Sequence, residues 1–151
     1  MAISAEAVKE LRDRTGISVI ECKKALEEAG GDLEKALQIL SSKSADIMRK
    51  KADRTLGAGT VSSYIHNTGQ VGALVLLSCE TDFVSKNEAF AALARDIAMH
   101  AAAMRPLDVA ELLAQAYIKD QSKTINDLVA EATQKFGERI EISSLTVFSV
   151  A

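Results

Sequence analysis

The chain has no tryptophan, one proline (Pro106), two cysteines and only 4% aromatic residues among its 151. Each scarcity excludes something. Cys22 and Cys79 stand far apart with no CxxC spacing, so neither a disulfide framework nor a zinc site built from closely paired ligands fits. No run approaches the ~18 consecutive apolar residues of a membrane span, and MAISAEAVKELRDR lacks the apolar core of a secretion signal; a cytoplasmic location is expected. The net charge of −3, with both signs interspersed, argues against nucleic acid as a direct partner. The basic cluster Arg49-Lys50-Lys51 with Arg54 reads as a solvated helix face. Gly57-Ala58-Gly59-Thr60 lacks the lysine of a phosphate-binding loop, and neither His66 nor His100 is spaced to work with a cysteine or with Asp82. No catalytic residue, cofactor or metal is expected.

What is present is an ordinary globular composition, 48% apolar and 26% charged, enough for a small module plus a modest domain. Ser4 can cap a helix carrying Val8, Leu11 and Thr15 on one face, with Gly16 ending it. Ser18-Val19-Ile20-Glu21 is a capping box, with Ile17 and Cys22 at the staple positions. Gly30-Gly31 stops that helix and Asp32 caps a third, with Leu33, Ala36, Leu37 and Leu40 inward. These helices define a module over 1–42. On the second helix Val19, Cys22, Leu26 and Ala29 form one stripe, which leaves Ile20 and Lys23 outward. A lone exposed isoleucine is ordinary, but beside a capped helix start it also reads as a docking knob.

Residues 43–56, SKSADIMRKKADRT, read as a polar linker helix, and a domain over 57–151 follows. Its strands TVSSYIH and QVGALVLLSC flank an Asn67-Thr68-Gly69 turn; the second, apolar on both faces, belongs at the centre of its sheet. Ser85-Lys86-Asn87-Glu88 reads as another capping box, opening a helix with Phe90, Leu93, Ile97, Ala101 and Met104 inward. From Leu107 to Gln121 the pattern fits either helix or irregular chain. Thr124 starts a further helix that Gly137 ends, and RIEISSLTVFSV alternates as a third strand with Ser143-Ser144 as its bulge. The expected fold is α+β: a three-helix module, a linker helix, and a three-stranded antiparallel sheet with packed helices.

CETDFVSKNEAF sits between strand and helix. Thr81-Asp82-Phe83-Val84 is then a short loop between rigid elements, and Phe83 is either a lid on the local core or a protruding wedge. Periodicity alone favours the lid.

This stretch and VKELRDRTGISVIECKKALEEAGGDLEKA, together with DIAMHAAAMRP and the closing strand, resemble the translation elongation factor Ts family over nearly the whole chain. The resemblance implies a guanine-nucleotide exchange factor for elongation factor Tu. It turns the choice at Phe83 toward the wedge: Asp82 and Phe83 would be the tip pushed into the partner's G domain, near its magnesium and nucleotide phosphates. It also implies that the N-terminal module, similar to ubiquitin-associated domains, docks on that G domain through Arg12, Val19, Ile20 and Lys23. Val71, Gly72 and His100 would face the partner's C-terminal domains. Two departures stand out: Val19-Ile20 replaces a methionine pair, and one core half is present where longer members have two and a helical hairpin insertion. Short members pair two chains, so a homodimer is implied, with the Asp82-Phe83 loop of one subunit and His100 of the other on one partner molecule. The rival reading is an adaptor whose helical bundle binds a partner helix or a ubiquitin-like fold, which leaves the TDFV stretch unexplained.

Overall fold

The computed structural model describes residues 2–151 and is α+β. The chain divides into two compact units. One holds the described residues up to Asp53 together with Ala130–Gly137; the other holds Arg54–Val129 and Glu138–Ala151.

The first unit opens with α1 (Ala5–Thr15), capped by the Ser4 hydroxyl accepting from the Ala7 amide and closed by Gly16 at φ 71°. α2 (Val19–Glu28) starts where the Ser18 side chain accepts from the Glu21 amide. Ile17 and Cys22 are both buried, as staple residues should be. Asp32 caps α3 (Leu33–Lys50). Leu11, Ile17, Cys22, Ala25, Leu26, Ala36 and Leu40 close a core among these helices. Val19 departs from the expected stripe: it is 46% exposed, because the buried face of α2 centres on Cys22, Ala25 and Leu26. The third helix of the module continues without a break into the stretch read as a linker helix. No glycine or proline lies between Leu40 and Asp46, so α3 runs unbroken for 18 residues, and the chain turns only after Lys50.

The second unit contains β1 (Ala58–Ile65), β2 (Val71–Cys79), α4 (Asp82–Ser85), α5 (Glu88–Met104), α6 (Val109–Ala114), β3 (Ala116–Tyr117), β4 (Asp120–Thr124), α7 (Ile125–Phe136) and β5 (Glu141–Ser149). α7 is divided between the units at Val129. The main sheet is antiparallel with order β1-β2-β5, so the two-faced apolar strand is central. The hairpin register pairs Ile65 with Gly72, and Gly69 takes φ 73° in the turn. Against β2 the register of β5 slips between Ser144 and Ile142, leaving Ser143 as the bulged residue. One sheet face is covered by α5, whose Phe90, Ala94, Ile97, Ala98 and Ala101 are fully buried.

Two helix readings change here. α5 is capped by Asn87, whose side chain accepts from the Ala89 amide; the Ser85 hydroxyl donates back to the Asp82 carbonyl instead. Met104, expected inward, is 48% exposed, because the helix ends there with Arg105 in the left-handed region at φ 49°. The ambiguous stretch from Leu107 to Gln121 resolves into α6 and a small hairpin of β3 with β4.

Candidate partner-docking site

β2 ends at Cys79, and Thr81 leads into α4, a single turn. A one-turn helix has little stability of its own, so its ends must fix it. Val84 faces inward at 6% exposure and plugs the turn to the domain. Asp82 is exposed, and the Phe83 ring is 90% exposed. The stretch expected as a loop is thus helical, and its aromatic ring points outward rather than closing the core.

The approach to α4 is braced from the far end of the sequence. Gly137, at φ 72°, ends α7 and delivers Glu138 beside the end of β2. Glu138 Oε1 accepts from the backbone amides of Glu80 at 3.1 Å and Thr81 at 3.0 Å, and Oε2 accepts the Thr81 hydroxyl at 2.6 Å. In return the Arg139 amide donates to Glu80 Oε2 at 2.6 Å, and Arg54 pairs with Glu80 Oε1 at 3.4 Å. The Cys79 thiol donates to the Thr81 carbonyl at 3.3 Å. Burial pushes that thiol above its ordinary pKa, with the Glu138 carboxylate adding to the effect, so it is held as a neutral S–H. Sequence reasoning missed this clamp.

The residues singled out on the first unit lie on its surface. Ile20 is 67% exposed, and Arg12 and Lys23 are exposed as well. The sharp start of α2 at Ser18 places Val19 and Ile20 on its first turn, where little else covers them.

On the second unit Val71 is half-buried and Gly72 buried. A Cβ at Gly72 would stand 2.5 Å from Ile65 Cδ1, so the isoleucine side chain lies across the glycine and shields it. His100 is not on the surface. Its ring has no exposed area: Nδ1 accepts the Ile118 amide at 3.2 Å, which leaves Nε2–H to donate to Gln115 Oε1 at 2.9 Å. Burial lowers the His100 pKa, with the Gln115 hydrogen bond opposing. The ring therefore ties α5 to the β3–β4 hairpin, and in this arrangement it presents nothing to a partner.

The sheet face opposite α5 is uncovered within this unit. Three of its rows, Ile65–Gly72–Phe148, Ser63–Leu74–Thr146 and Val61–Leu76–Ser144, carry no charged side chain, and the next, Gly59–Ser78, ends on Glu141. Phe148 is 77% exposed and Ile65 65%. The basic residues of the linker region are partly engaged: Arg49 pairs with Asp46, and Lys51 Nζ donates to the Gly137 carbonyl at 2.9 Å. Among the described residues no cluster of histidine, cysteine, aspartate or glutamate could hold a metal, and no helix is long and apolar enough to cross a membrane.

An outward phenyl ring on a braced turn, exposed apolar knobs on a helical module and a bare apolar sheet face define an α+β protein equipped to dock on other proteins. Comparison with known proteins gives its family. Residues 80–151 match the family model described as elongation factor TS. The chain is 40% identical to the elongation factor Ts of Leptospira biflexa, over 99% of this chain and 98% of that one. It is 38% identical to that of Thermosipho melanesiensis, over 98% of each. It is 46% identical to that of Clostridium acetobutylicum, over 97% of this chain and 48% of that longer protein. The chain belongs to the elongation factor Ts family. The Leptospira alignment runs over 195 positions against 151 residues here, so at least 44 positions of that relative have no counterpart.

Proposed function

We propose that the chain is a guanine-nucleotide exchange factor that binds elongation factor Tu carrying GDP in the cytoplasm and speeds GDP release. The observation that carries the reading is the orientation of Phe83, 90% exposed on a one-turn helix next to the exposed carboxylate of Asp82. A GTPase holds nucleotide through magnesium and through amides and a lysine around the phosphates. Burying the Phe83 ring in such a partner yields about 1.5–3 kcal/mol, and the ring displaces elements that position the magnesium ligands. Asp82 adds negative charge where phosphate charge already sits. Docking by Arg12, Val19, Ile20 and Lys23 on the helical module offsets the distortion. Factor and nucleotide then weaken each other by an equal factor, as coupled binding requires. No covalent bond is made or broken, so the activity is not enzymatic in the strict sense.

A homodimer is part of the proposal, now carried by the three outer rows of the sheet that hold no charged side chain. The second copy would cover Val61, Ile65, Leu74 and Phe148. Contiguous exposed apolar area of this kind is rare on monomers. A direct partner contact by His100 is dropped, because the ring is buried. Val71 and Gly72 border the same outer face, and their contact with the partner stays within the proposal.

The test is release of fluorescent GDP from elongation factor Tu with and without the full chain. Acceleration well above the spontaneous rate is expected. Binding without acceleration would overturn exchange and leave the adaptor role, in which the helical module alone recruits a partner. Sedimentation tests the dimer: Phe148→Asp is expected to yield monomer from a wild-type dimer, and a wild-type chain that sediments as a monomer alone and in the complex would overturn it.

A further inference from the structure

We propose that Glu138 is a positioning residue for nucleotide release, holding the Glu80-Thr81 backbone so that the Asp82-Phe83 turn keeps its projecting orientation. The inference rests on the reading of Phe83 as the wedge. An exposed benzyl group gains by folding back onto apolar surface, so keeping it outward requires a turn that cannot roll. Val84 anchors the middle of α4, and the Asn87 cap fixes the start of the next helix. The N-terminal end has no such anchor of its own: Thr81 occupies the cap position, yet its hydroxyl makes no capping bond to α4. That hydroxyl and the Thr81 amide are both turned onto the Glu138 carboxylate.

The arrangement is reciprocal. Glu138 takes the amides of residues 80 and 81, and Glu80 takes the amide of Arg139. These bonds prolong the β2–β5 pairing past its last pair, Ser78 with Glu141, by means of side chains. Rotation of α4 about its own axis would strain three bonds to one carboxylate, each strengthened by the charge, the hydroxyl bond the shortest at 2.6 Å. Glutamine loses the charge that strengthens all three bonds, and its amide nitrogen meets the Thr81 hydroxyl only if that hydroxyl turns round to accept. Aspartate is one methylene short of the reach.

The test compares Glu138→Gln, Thr81→Val and Phe83→Ala with the wild-type chain, all full length. Three quantities are read: the maximal rate of fluorescent-GDP release from elongation factor Tu at saturating factor, the factor concentration giving half that rate, and amide hydrogen exchange at Thr81 in the free chain. For Glu138→Gln the maximal rate is expected to fall about tenfold while the half-saturating concentration moves by less than about threefold. Its Thr81 amide is expected to exchange at least about tenfold faster. Thr81→Val, which keeps the backbone bonds, is expected to lose about threefold in maximal rate. A Glu138→Gln chain with the wild-type maximal rate, or with an unchanged Thr81 amide, overturns the proposal. If that variant does not fold, Thr81→Val decides: an unchanged maximal rate overturns it. Full activity in Phe83→Ala would overturn the wedge reading and this inference together. Loss in Phe83→Ala with none in Glu138→Gln removes only the role of Glu138.

Discussion

Phe83 and Phe90 stand on consecutive helices and meet opposite fates. Phe90, on the first turn of α5, is fully buried against the sheet; Phe83, on α4, is 90% exposed. The side chain is the same and so is its affinity for an apolar surrounding. What differs is the anchoring. α5 is long, capped by Asn87 and covered along one face, so its phenylalanine stabilises the domain. α4 is one turn held by Val84 and, at its start, by the Glu138 clamp, and its phenylalanine stays outside the domain. One region buries its aromatic ring inside the fold, and the other leaves the same ring exposed to solvent.

The contrast can be broken at several points. Phe90→Ala is expected to cost about 3–5 kcal/mol of unfolding free energy, seen as a lower urea midpoint at unchanged slope. A loss below about 1 kcal/mol would mean that Phe90 and Phe83 differ less than their burial implies. His100 tests the same helix through a polar group. Its folded-state pKa lies below 6.5, so the unfolded chain takes up the proton first. The stability of its neutral, hydrogen-bonded state is full above about pH 6.5 and is lost as the pH falls from there toward the folded value, by at most about 1.4 kcal/mol per pH unit. Urea titrations between pH 7.5 and 5.5 are expected to show this slope in the wild type and a flatter one in His100→Gln. Equal slopes would mean that His100 is not held neutral. Ile20→Asp carries the comparison into the helical module. About tenfold weaker binding to elongation factor Tu with under about 0.5 kcal/mol change in stability is expected, since a 67% exposed residue stabilises little of its own unit. A strongly destabilised variant would place Ile20 in the core instead.

How much of this was legible in the sequence depends on how local its cause is. The caps at Ser4, Ser18 and Asp32, the Gly69 turn, the central place of β2 and the Ser143 bulge follow from neighbouring residues, and the structure bears them out. Where two local signals compete, pattern reading fails: Ser85 and Asn87 both resemble caps before Glu88, and the tighter spacing of Asn87 to the Ala89 amide prevails. The β3–β4 hairpin has no glycine at its turn and only five residues in its longer strand, so little marks it. The Glu138 clamp joins residues 57 and 58 positions apart in the chain and has no local signature at all. Phe83 shows both limits. Periodicity read it as a lid, because periodicity records which residues are apolar and not which surface is free to receive them. His100, assigned to a partner surface by resemblance, lies inside because Ile118 and Gln115 use both ring nitrogens.

The most direct measurement takes one preparation of Phe83→Ala and reads two quantities, thermal unfolding and GDP release from elongation factor Tu. A ring that earns nothing inside its own domain should leave the melting temperature within about 2 °C of wild type, while release slows by about tenfold or more. A variant that melts clearly earlier yet still ejects nucleotide at the full rate would contradict the outward wedge.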